Sequence, residues 1–392
     1  MENFVYYTPT KVYFGKDEEL KIGKILKDYN PHKVLIHFGS DRIKKSGFLD
    51  KIESLIKDEG IKYVELGGVK ANPEVDLVYE GIKLARAEDV DFILAIGGGS
   101  VLDSAKSIAN GLANPEDDTW DYNLGKKKPQ KTTRKGAILT ISAAGSEMSE
   151  SCVINNPHIK EKRGYNSVCN RFDFAIENPE LTYTVSKYQT ACGAVDIAMH
   201  TIERYFCIGG FDITDSIALE VIKNAFKYGK IAYDNPMDYE ARANLMWTSS
   251  LAHNGLTTCG HKMVLAVHQF EHELSAFDSN IAHGAGLAAV WCSWARYVYK
   301  YQIDRFYNYA HIVWGVTSTN KEEAILTAIK MQEDYYKSIG MPISLVELGI
   351  KESDLEYLAI RCSRDKTRAI GGVKELVYDD ILAIYKMAFP KR

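Results

Sequence analysis

Short apolar, β-branched runs alternate with charged amphipathic ones through the first 185 residues of this 392-residue chain. VLIHF (34–38) precedes FLDKIESLIKDEG, KYVEL (62–66) precedes VDLVYEGIKLARAEDV, and FILAI (92–96) precedes SVLDSAKSIANGL. Strands separated by helices at this pitch pair in parallel, because each helix carries the chain back across the sheet. The expected class is α/β, a mostly parallel sheet covered by helices. From about Ser186 the apolar spacing lengthens to a helical period, as in TDSIALEVIKNAFKYGKIAY and DYEARANLMWTSSLAHNG. We therefore expect an N-terminal α/β domain over 1–185 and an all-α C-terminal domain over 186–392. No repeat, low-complexity tract or Pro/Ser-rich linker separates them, and the active site is expected in the cleft between the two.

Composition removes several classes of partner. A formal charge of -4, with 26% charged and 46% apolar residues, gives no global attraction to phosphate backbones or anionic lipid. Nucleic acid and membrane are therefore not expected as partners. No apolar run reaches the roughly 18 residues that span a bilayer, and MENFVYYTPTK lacks the order of a signal peptide. A cytoplasmic protein is expected. The 7 cysteines are scattered and never spaced C-x-x-C, which suits reduced thiols in a core. Histidine is distributed differently. Of the 10 in the chain, His200, His253, His261, His268, His272 and His283 fall in one stretch, which points to a metal or to proton transfer.

Ligands of parallel sheets gather beyond the carboxyl ends of the strands. After FILAI comes Gly97-Gly98-Gly99-Ser100, then a helix with Asp103 and Lys106. Glycines let the backbone approach a ligand closely, and the N–H groups at a helix start favour a pyrophosphate. This makes the N-terminal domain a dinucleotide-binding candidate, although a turn that serves only packing has the same composition. LTISAAGSEMSE (139–150) follows the same logic, an apolar strand running into the hydroxyls of Ser142, Ser146 and Ser149. At the tip of VLIHF stand Gly39 and Ser40, with Arg42 and Lys44 near by, where the adenosine ribose is expected. The basic pair suits a 2′-phosphate, so NADP(H) is expected in preference to NAD(H). Asp41 argues the other way, since a carboxylate there accepts from a free 2′-hydroxyl.

AVDIAMHTIE places Asp196 and His200 four residues apart, on one helix face and one turn from each other. HQFEHELSAFDSNIAHG repeats that relation in His268 and His272, and His283 follows a break at DSN and opens the turn HGAG. One carboxylate and three imidazoles suit Fe²⁺ or Zn²⁺ with a position left open for a substrate oxygen. The candidates leave one histidine over. We read His253 and His261 as structural, and Glu271 and Glu273 as hydrogen-bonding or solvent-facing.

GGGSVLDSAK, TISAAGSEMS, GAVDIAMHTIE, DYEARANLMW and HQFEHELSAF...IAHGAG, in this order across nearly the whole length, resemble the iron-containing (group III) alcohol dehydrogenase family. Within it the likeness is to the butanol dehydrogenase and broad aldehyde reductase branch. The resemblance implies metal ligation by Asp196, His200, His268 and His283, and a catalytic His272 near the nicotinamide. It implies pyrophosphate and nicotinamide contacts at Gly97, Gly98, Gly99, Ser100 and Asp103, and Thr140, Ser142 and Ser146 along the cofactor. Lys162 in KEKRGYNS matches a phosphate-contacting lysine, and Thr184 in LTYT a residue near the adenosine. Ser149 stands where asparagine is common in the family. His268 and His283 are one residue further apart than is common there, so a longer turn near Asp278 to Asn280 must deliver His283.

What this implies chemically is hydride transfer between a nicotinamide and a small primary alcohol or aldehyde, with one divalent metal. The family commonly forms dimers, so a homodimer is expected, and the start VYYTPTKVYFG offers a strand edge for it. One alternative is a metal-dependent lyase resembling dehydroquinate synthase. It would need Lys and Arg around the metal to hold an acidic substrate, whereas LMWTSSLAHNG and AVWCSWARY are apolar and aromatic. A second alternative is a metal- or nucleotide-binding protein without turnover.

Overall fold

The protein is described here by a computed structural model covering residues 1–390. Its chain divides into two compact units, Tyr7–Thr184 and Met1–Tyr6 with Val185–Arg392. The first six residues had been expected with the sheet. They group instead with the helices, where the Glu2 N–H donates to the Gly260 carbonyl at 3.0 Å and the Phe4 ring lies 6.4 Å from that of Phe211.

The first unit contains β1 (Lys11–Phe14), α1 (Ile22–Tyr29), β2 (Lys33–Phe38), α2 (Arg42–Lys45), α3 (Phe48–Asp58) and β3 (Lys62–Leu66). It continues with α4 (Val75–Ala87), β4 (Phe92–Gly97), α5 (Gly99–Ala113), α6 (Trp120–Asn123) and β5 (Arg134–Leu139). Three further strands are β6 (Ser151–Asn156), β7 (Glu161–Asn166) and β8 (Phe174–Glu177). Six strands form one sheet in the order β1-β8-β5-β4-β2-β3, with every pairing parallel. Every residue of β4 is buried, as a strand covered on both faces requires, which is why FILAIG reads as an unbroken apolar run. Val34, Ile36 and Phe38 of β2 and Phe92, Leu94 and Ile96 of β4 pack with Ile22, Leu26, Ile52 and Ile56 from α1 and α3. Strand order reverses between β2 and β4, so the Gly39 turn and the Gly97–Gly99 turn flank the switch point at the strands' carboxyl ends. Two details differ from the sequence reading. LTIS belongs to the sheet only through Leu139, with the Thr140 N–H making the last ladder bond to the Gly97 carbonyl at 3.1 Å before the chain turns away. An antiparallel ladder of β6 with β7, unforeseen because its strands are polar, carries Lys162 opposite Asn155.

The second unit contains α7 (Lys187–Tyr205), β9 (Ile208–Gly209), α8 (Asp212–Asp234), α9 (Tyr239–His253), β10 (His261–Lys262), α10 (Ala266–Phe277) and α11 (His283–Val298). It ends with α12 (Ile303–Trp314), α13 (Lys321–Ser338), α14 (Leu355–Cys362) and α15 (Tyr378–Met387). It departs from an all-helical unit in a two-residue antiparallel ladder of β9 with β10 and a single antiparallel bridge between Ile370 and Leu376. The axis of its core is α7, in which every residue from Thr190 to Tyr205 is buried. A helix buried on all sides must partner each polar group it carries, so Asp196, His200 and Glu203 demand explanation. No helix among the described residues is long and apolar enough to cross a membrane.

Candidate metal centre

Asp196, His200 and Glu203 follow one another at four and three residues along α7, so they share a face. His268, Glu271 and Ser275 do the same on α10, and His283 is the first residue of α11. The longer turn before it closes on itself. Asp278 Oδ1 accepts from the Asn280 main-chain N–H and side-chain Nδ2, both at 2.9 Å, and the Ile281 N–H donates to the Asp278 carbonyl at 3.1 Å. Gly284 then lets α11 begin hard against α7, for a Cβ at that position would lie 2.2 Å from the Cys192 carbonyl oxygen.

These elements bring Asp196, His268 and His283 together, with one ligand atom of each inside a set no two members of which are more than 4.8 Å apart. From Asp196 Oδ1 it is 3.8 Å to His268 Nε2 and 3.7 Å to His283 Nε2. His200 stands beside this trio, not within it. Its ring centroid is 4.6 Å from that of His268, and its Nδ1 is 3.0 Å from the Asp196 main-chain oxygen and 3.1 Å from Oδ1. His272, half-buried one turn beyond His268, has its ring centroid 6.5 Å from that of His268 and 5.9 Å from that of His283. The His253 ring, read as structural, packs 4.0 Å from that of His200. His261 lies apart from the trio, with Nε2 2.9 Å from Asp215 Oδ1.

Electrostatics at this point favour positive charge. Burial alone would raise the Asp196 carboxyl, but His200 and His283 hold it well below the usual carboxylate range. His200 is pushed down to about 4 by burial and stays neutral, as a ligand must be. For His268 burial also opposes protonation, yet Glu203 and Asp196 outweigh it and raise the imidazole to about 9. A cation on Nε2 meets the same demand without the proton. Among the described residues Asp196 Oδ1, despite its ion-pair contact with His200, and His268 Nε2 are both buried with no hydrogen-bond partner, so the donor set fits a divalent ion.

Two buried carboxylates stand behind the imidazoles, Glu203, which has no role in the sequence reading, and Glu271, whose expected hydrogen-bonding role the structure shows. Glu203, 3% exposed, accepts from His268 Nδ1, from the His268 N–H at 3.1 Å and from the Val267 N–H at 2.5 Å. Glu271, fully buried, accepts from His283 Nδ1 and from the Ser275 hydroxyl. Their signal was the helical spacing itself, since Glu203 lies seven residues after Asp196 and Glu271 three after His268. Glu273, by contrast, faces Arg361 at 3.7 Å.

The dinucleotide candidates in the first unit also gather, at the strand ends. Gly97 ends β4, Gly98 precedes α5 and Gly99 opens it, with Cβ atoms on Gly98 and Gly99 excluded by Ile141 and Ala144 of the neighbouring turn at 2.3 and 3.0 Å. Packing therefore requires these glycines as much as a ligand does. Ser100 donates to the Ala71 carbonyl. Asp103 and Ser146 meet directly: the Ser146 hydroxyl donates to Asp103 Oδ1 at 2.6 Å and accepts from the fully buried Lys106 at 2.7 Å, and the Val153 N–H donates to Asp103 Oδ2 at 2.9 Å. Asp103 thus ties α5 to β6, and Ser146 ties the turn after β5 to α5. Ser149 accepts from the Ser151 N–H at 2.9 Å. Among the serines of this turn, Ser142 has a buried hydroxyl with no partner among the described residues, which suits a hydrogen bond to a ligand. Arg42 donates to the Thr184 carbonyl at 2.8 Å, which joins two candidates that lie far apart in sequence. Gly39 and Ser40 form the turn after β2, and Lys162 sits on β7.

Comparison with known proteins supports one lineage. Residues 9–179 match the family model for iron-containing alcohol dehydrogenase, and residues 190–389 that for the Fe-containing alcohol dehydrogenase family, C-terminal. The NADH-dependent butanol dehydrogenase A of Clostridium acetobutylicum is 40% identical over 99% of this chain and 100% of its own. The NADPH-dependent aldehyde reductase YqhD of Escherichia coli is 32% identical over 99% and 100%. A crystal structure of NADH-dependent butanol dehydrogenase A from Thermotoga maritima superposes with a TM-score of 0.95 at 38% identity, covering 100% of this chain and 99% of that one. With both halves matched and full-length relatives above the level at which families diverge, the chain belongs to the iron-containing alcohol dehydrogenase family.

Proposed function

We propose that the protein reversibly reduces small aldehydes to primary alcohols, with NAD(H) as the nicotinamide and one divalent cation, Fe²⁺ or Zn²⁺, held by Asp196, His200, His268 and His283. The observation that carries this reading is the pair of orphaned, buried ligand atoms, Asp196 Oδ1 and His268 Nε2, in a pocket of carboxylates. When bound, the cation supplies Lewis-acid polarisation of a carbonyl oxygen, and the reduced nicotinamide supplies the hydride. His272 passes a proton between the substrate oxygen and solvent. Gly97, Gly98, Gly99 and Ser100 bind pyrophosphate at the start of α5, Thr140 and Ser142 orient the cofactor, and Lys162 and Thr184 hold its phosphate and adenosine end. In this reading Asp103, Ser146 and Ser149 shape the cofactor turn from behind. Residues 1–185 serve as the dinucleotide domain and 186–392 as the metal and substrate domain.

For the cofactor, two features favour NAD(H) over the NADP(H) expected from sequence. Arg42 donates to the Thr184 carbonyl, and Lys44 to Glu65 at 2.6 Å, so each has one donor occupied and the Lys44 charge is offset by a carboxylate, which weakens their pull on a 2′-phosphate. Asp41, at the strand tip, makes no capping hydrogen bond to α2, so its carboxylate can accept from a ribose hydroxyl. The butanol dehydrogenase relatives named NADH-dependent agree with this choice. A homodimer is consistent with β1, which pairs on one side only, with β8. The free cysteines support a cytoplasmic setting.

The test is an NADH and NADPH oxidation screen over an aldehyde panel that includes butyraldehyde, run beside elemental analysis. His268→Ala and Asp196→Ala are expected to lose both metal and turnover. Full aldehyde reduction by a metal-free variant would refute the role of the ion, and phosphate release without net NADH consumption would favour a lyase.

A further inference from the structure

A metal site needs more than ligand atoms at the right distance. Each imidazole must present an unprotonated nitrogen to the ion, and which nitrogen that is depends on what the other one donates to. In this centre all three candidate histidines have Nδ1 engaged. His200 Nδ1 faces the Asp196 main-chain oxygen at 3.0 Å, an acceptor fixed by the helix. His268 Nδ1 donates to Glu203, and His283 Nδ1 donates to Glu271. A carboxylate only accepts, so the proton in both pairs is held on Nδ1, and Nε2 is the nitrogen left to meet a cation, which displaces any proton carried there. Those Nε2 atoms are the ones 3.8 and 3.7 Å from Asp196 Oδ1.

Neither glutamate is placed by chance. A carboxylate with side-chain exposure of 1% at Glu203 and 0% at Glu271 is costly to bury unless its acceptors are filled. Glu203 is held by the two main-chain N–H groups that open α10, so the element that carries His268 is registered to α7 through the same carboxylate that orients the ring. On the Glu271 side the Ser275 hydroxyl, one turn further along α10, occupies Oε1 and leaves Oε2 for His283.

From this geometry we propose, resting on the metal-centre reading above, that Glu203 and Glu271 are positioning residues: they fix His268 and His283 in the Nδ1–H form and aim both Nε2 atoms at the ion, with Ser275 completing the Glu271 arm. They do not touch the ion. Their contribution is to remove the competing ring flip and tautomer from the unoccupied protein and to make each imidazole a better electron donor.

The test uses the full-length protein, stripped with chelator and titrated with Co²⁺, whose visible absorption reports ligand number and symmetry, and with Zn²⁺ in competition. The variants are Glu271→Ala, Glu271→Gln and Glu203→Ala, with Glu273→Ala as the neighbouring control. Glu271→Gln has the length of the original and an amide oxygen that can still accept from His283 Nδ1, while its NH₂ donates to Ser275. We expect Glu271→Ala and Glu203→Ala to bind Co²⁺ about 10- to 100-fold more weakly with an altered visible spectrum. Glu271→Gln should recover most of the affinity and the wild-type spectrum, and Glu273→Ala should be unchanged. Should the Ala variants fail to fold, Ser275→Ala replaces them, with a smaller loss expected. Wild-type affinity and spectrum in Glu271→Ala, or a Gln variant as weak as the Ala variant, overturns the positioning role while leaving the metal centre intact. Failure of the wild-type protein to bind one Co²⁺ per chain overturns the metal-centre reading itself.

Discussion

Replacing Gly284 by alanine sets two rules against each other. Gly284 lies inside α11 and is not among the residues with positive φ, so its backbone is open to alanine. On conformational grounds Gly→Ala at such a position stabilises by about 0.4 to 1 kcal/mol. The surroundings reverse the sign. The new Cβ would sit 2.2 Å from the Cys192 carbonyl oxygen and 2.7 Å from both its carbonyl carbon and Cα, all main-chain atoms of buried α7 that cannot rotate away. To restore van der Waals separation the start of α11 must retreat by roughly 1 Å. Overpacking of that kind costs about 1 to 3 kcal/mol, which exceeds the conformational gain. His283, the preceding residue, retreats with it, and metal–ligand distances tolerate only about 0.2 Å. We therefore expect Gly284→Ala to unfold earlier than wild type with metal removed, and to lose in addition most of the stabilisation that added Fe²⁺ or Zn²⁺ gives the wild-type protein. Calorimetry of both proteins, with and without chelator, measures the two effects separately. An alanine variant at least as stable as wild type, with one metal still bound per chain, would falsify the packing argument.

Further outcomes follow from other sites. Chelation should lower the unfolding midpoint of the wild-type protein, because an ion at a thousand times its Kd stabilises by about 4 kcal/mol and its removal takes a cation from the buried Asp196 carboxylate; an unchanged midpoint counts against the centre. Asp41→Ser should raise kcat/KM for NADPH relative to NADH by roughly fivefold, the about 1 kcal/mol left of a screened like-charge repulsion; no change in the ratio would remove Asp41 from cofactor choice. For the proton relay, His272→Ala should keep its metal but lose turnover and alter the pH–rate profile, and wild-type behaviour in both would end that role. His37 gives a pH-dependent term in the sheet unit. Burial pushes it down to about 4, with Nδ1 2.8 Å from the Leu66 carbonyl and Nε2 2.9 Å from the Ser104 hydroxyl. The unfolded chain takes up this proton below pH about 6.5 and the native one does not, so stability is full above that value and falls by about 3 kcal/mol between pH 6.5 and 4. His37→Asn should flatten that slope in urea titrations, and an identical slope would refute the assignment.

Much of this architecture was legible because it rests on patterns a chain cannot hide. A parallel sheet buried on both faces must be written as runs such as FILAIG, and a bundle must be written with a helical period, so elements and their class followed from periodicity. Polar strands carry no such imprint. β6 and β7, SCVINN and EKRGYN, have neither an apolar run nor clean alternation, and their pairing depends on tethers from distant residues such as Asp103 to the Val153 N–H. The surroundings of the basic pair at the strand tip were hidden for a related reason. Arg42 and Lys44 are present in the sequence as charges, but whether a charge is available depends on neighbours brought near by folding, here the Thr184 carbonyl and Glu65.

The metal centre shows the same division at closer range. Histidine clustering and i, i+4 spacing expose the candidate ligands, because chelation favours those residue types at those intervals. The carboxylates behind them are ordinary helical glutamates by every sequence criterion. What distinguishes Glu203 and Glu271 from Glu273 is that a fully enclosed helix and a glycine-tight helix start close over the first two, whereas Glu273 turns to Arg361. A buried carboxylate is tolerated where a cation or a fixed donor offsets its desolvation. The enclosure that hides these residues from sequence reading is thus what gives them leverage on the imidazoles: in water the Nδ1–H to carboxylate contact would be one exchangeable hydrogen bond among many, while inside this core it has no competitor and holds the ring to one tautomer.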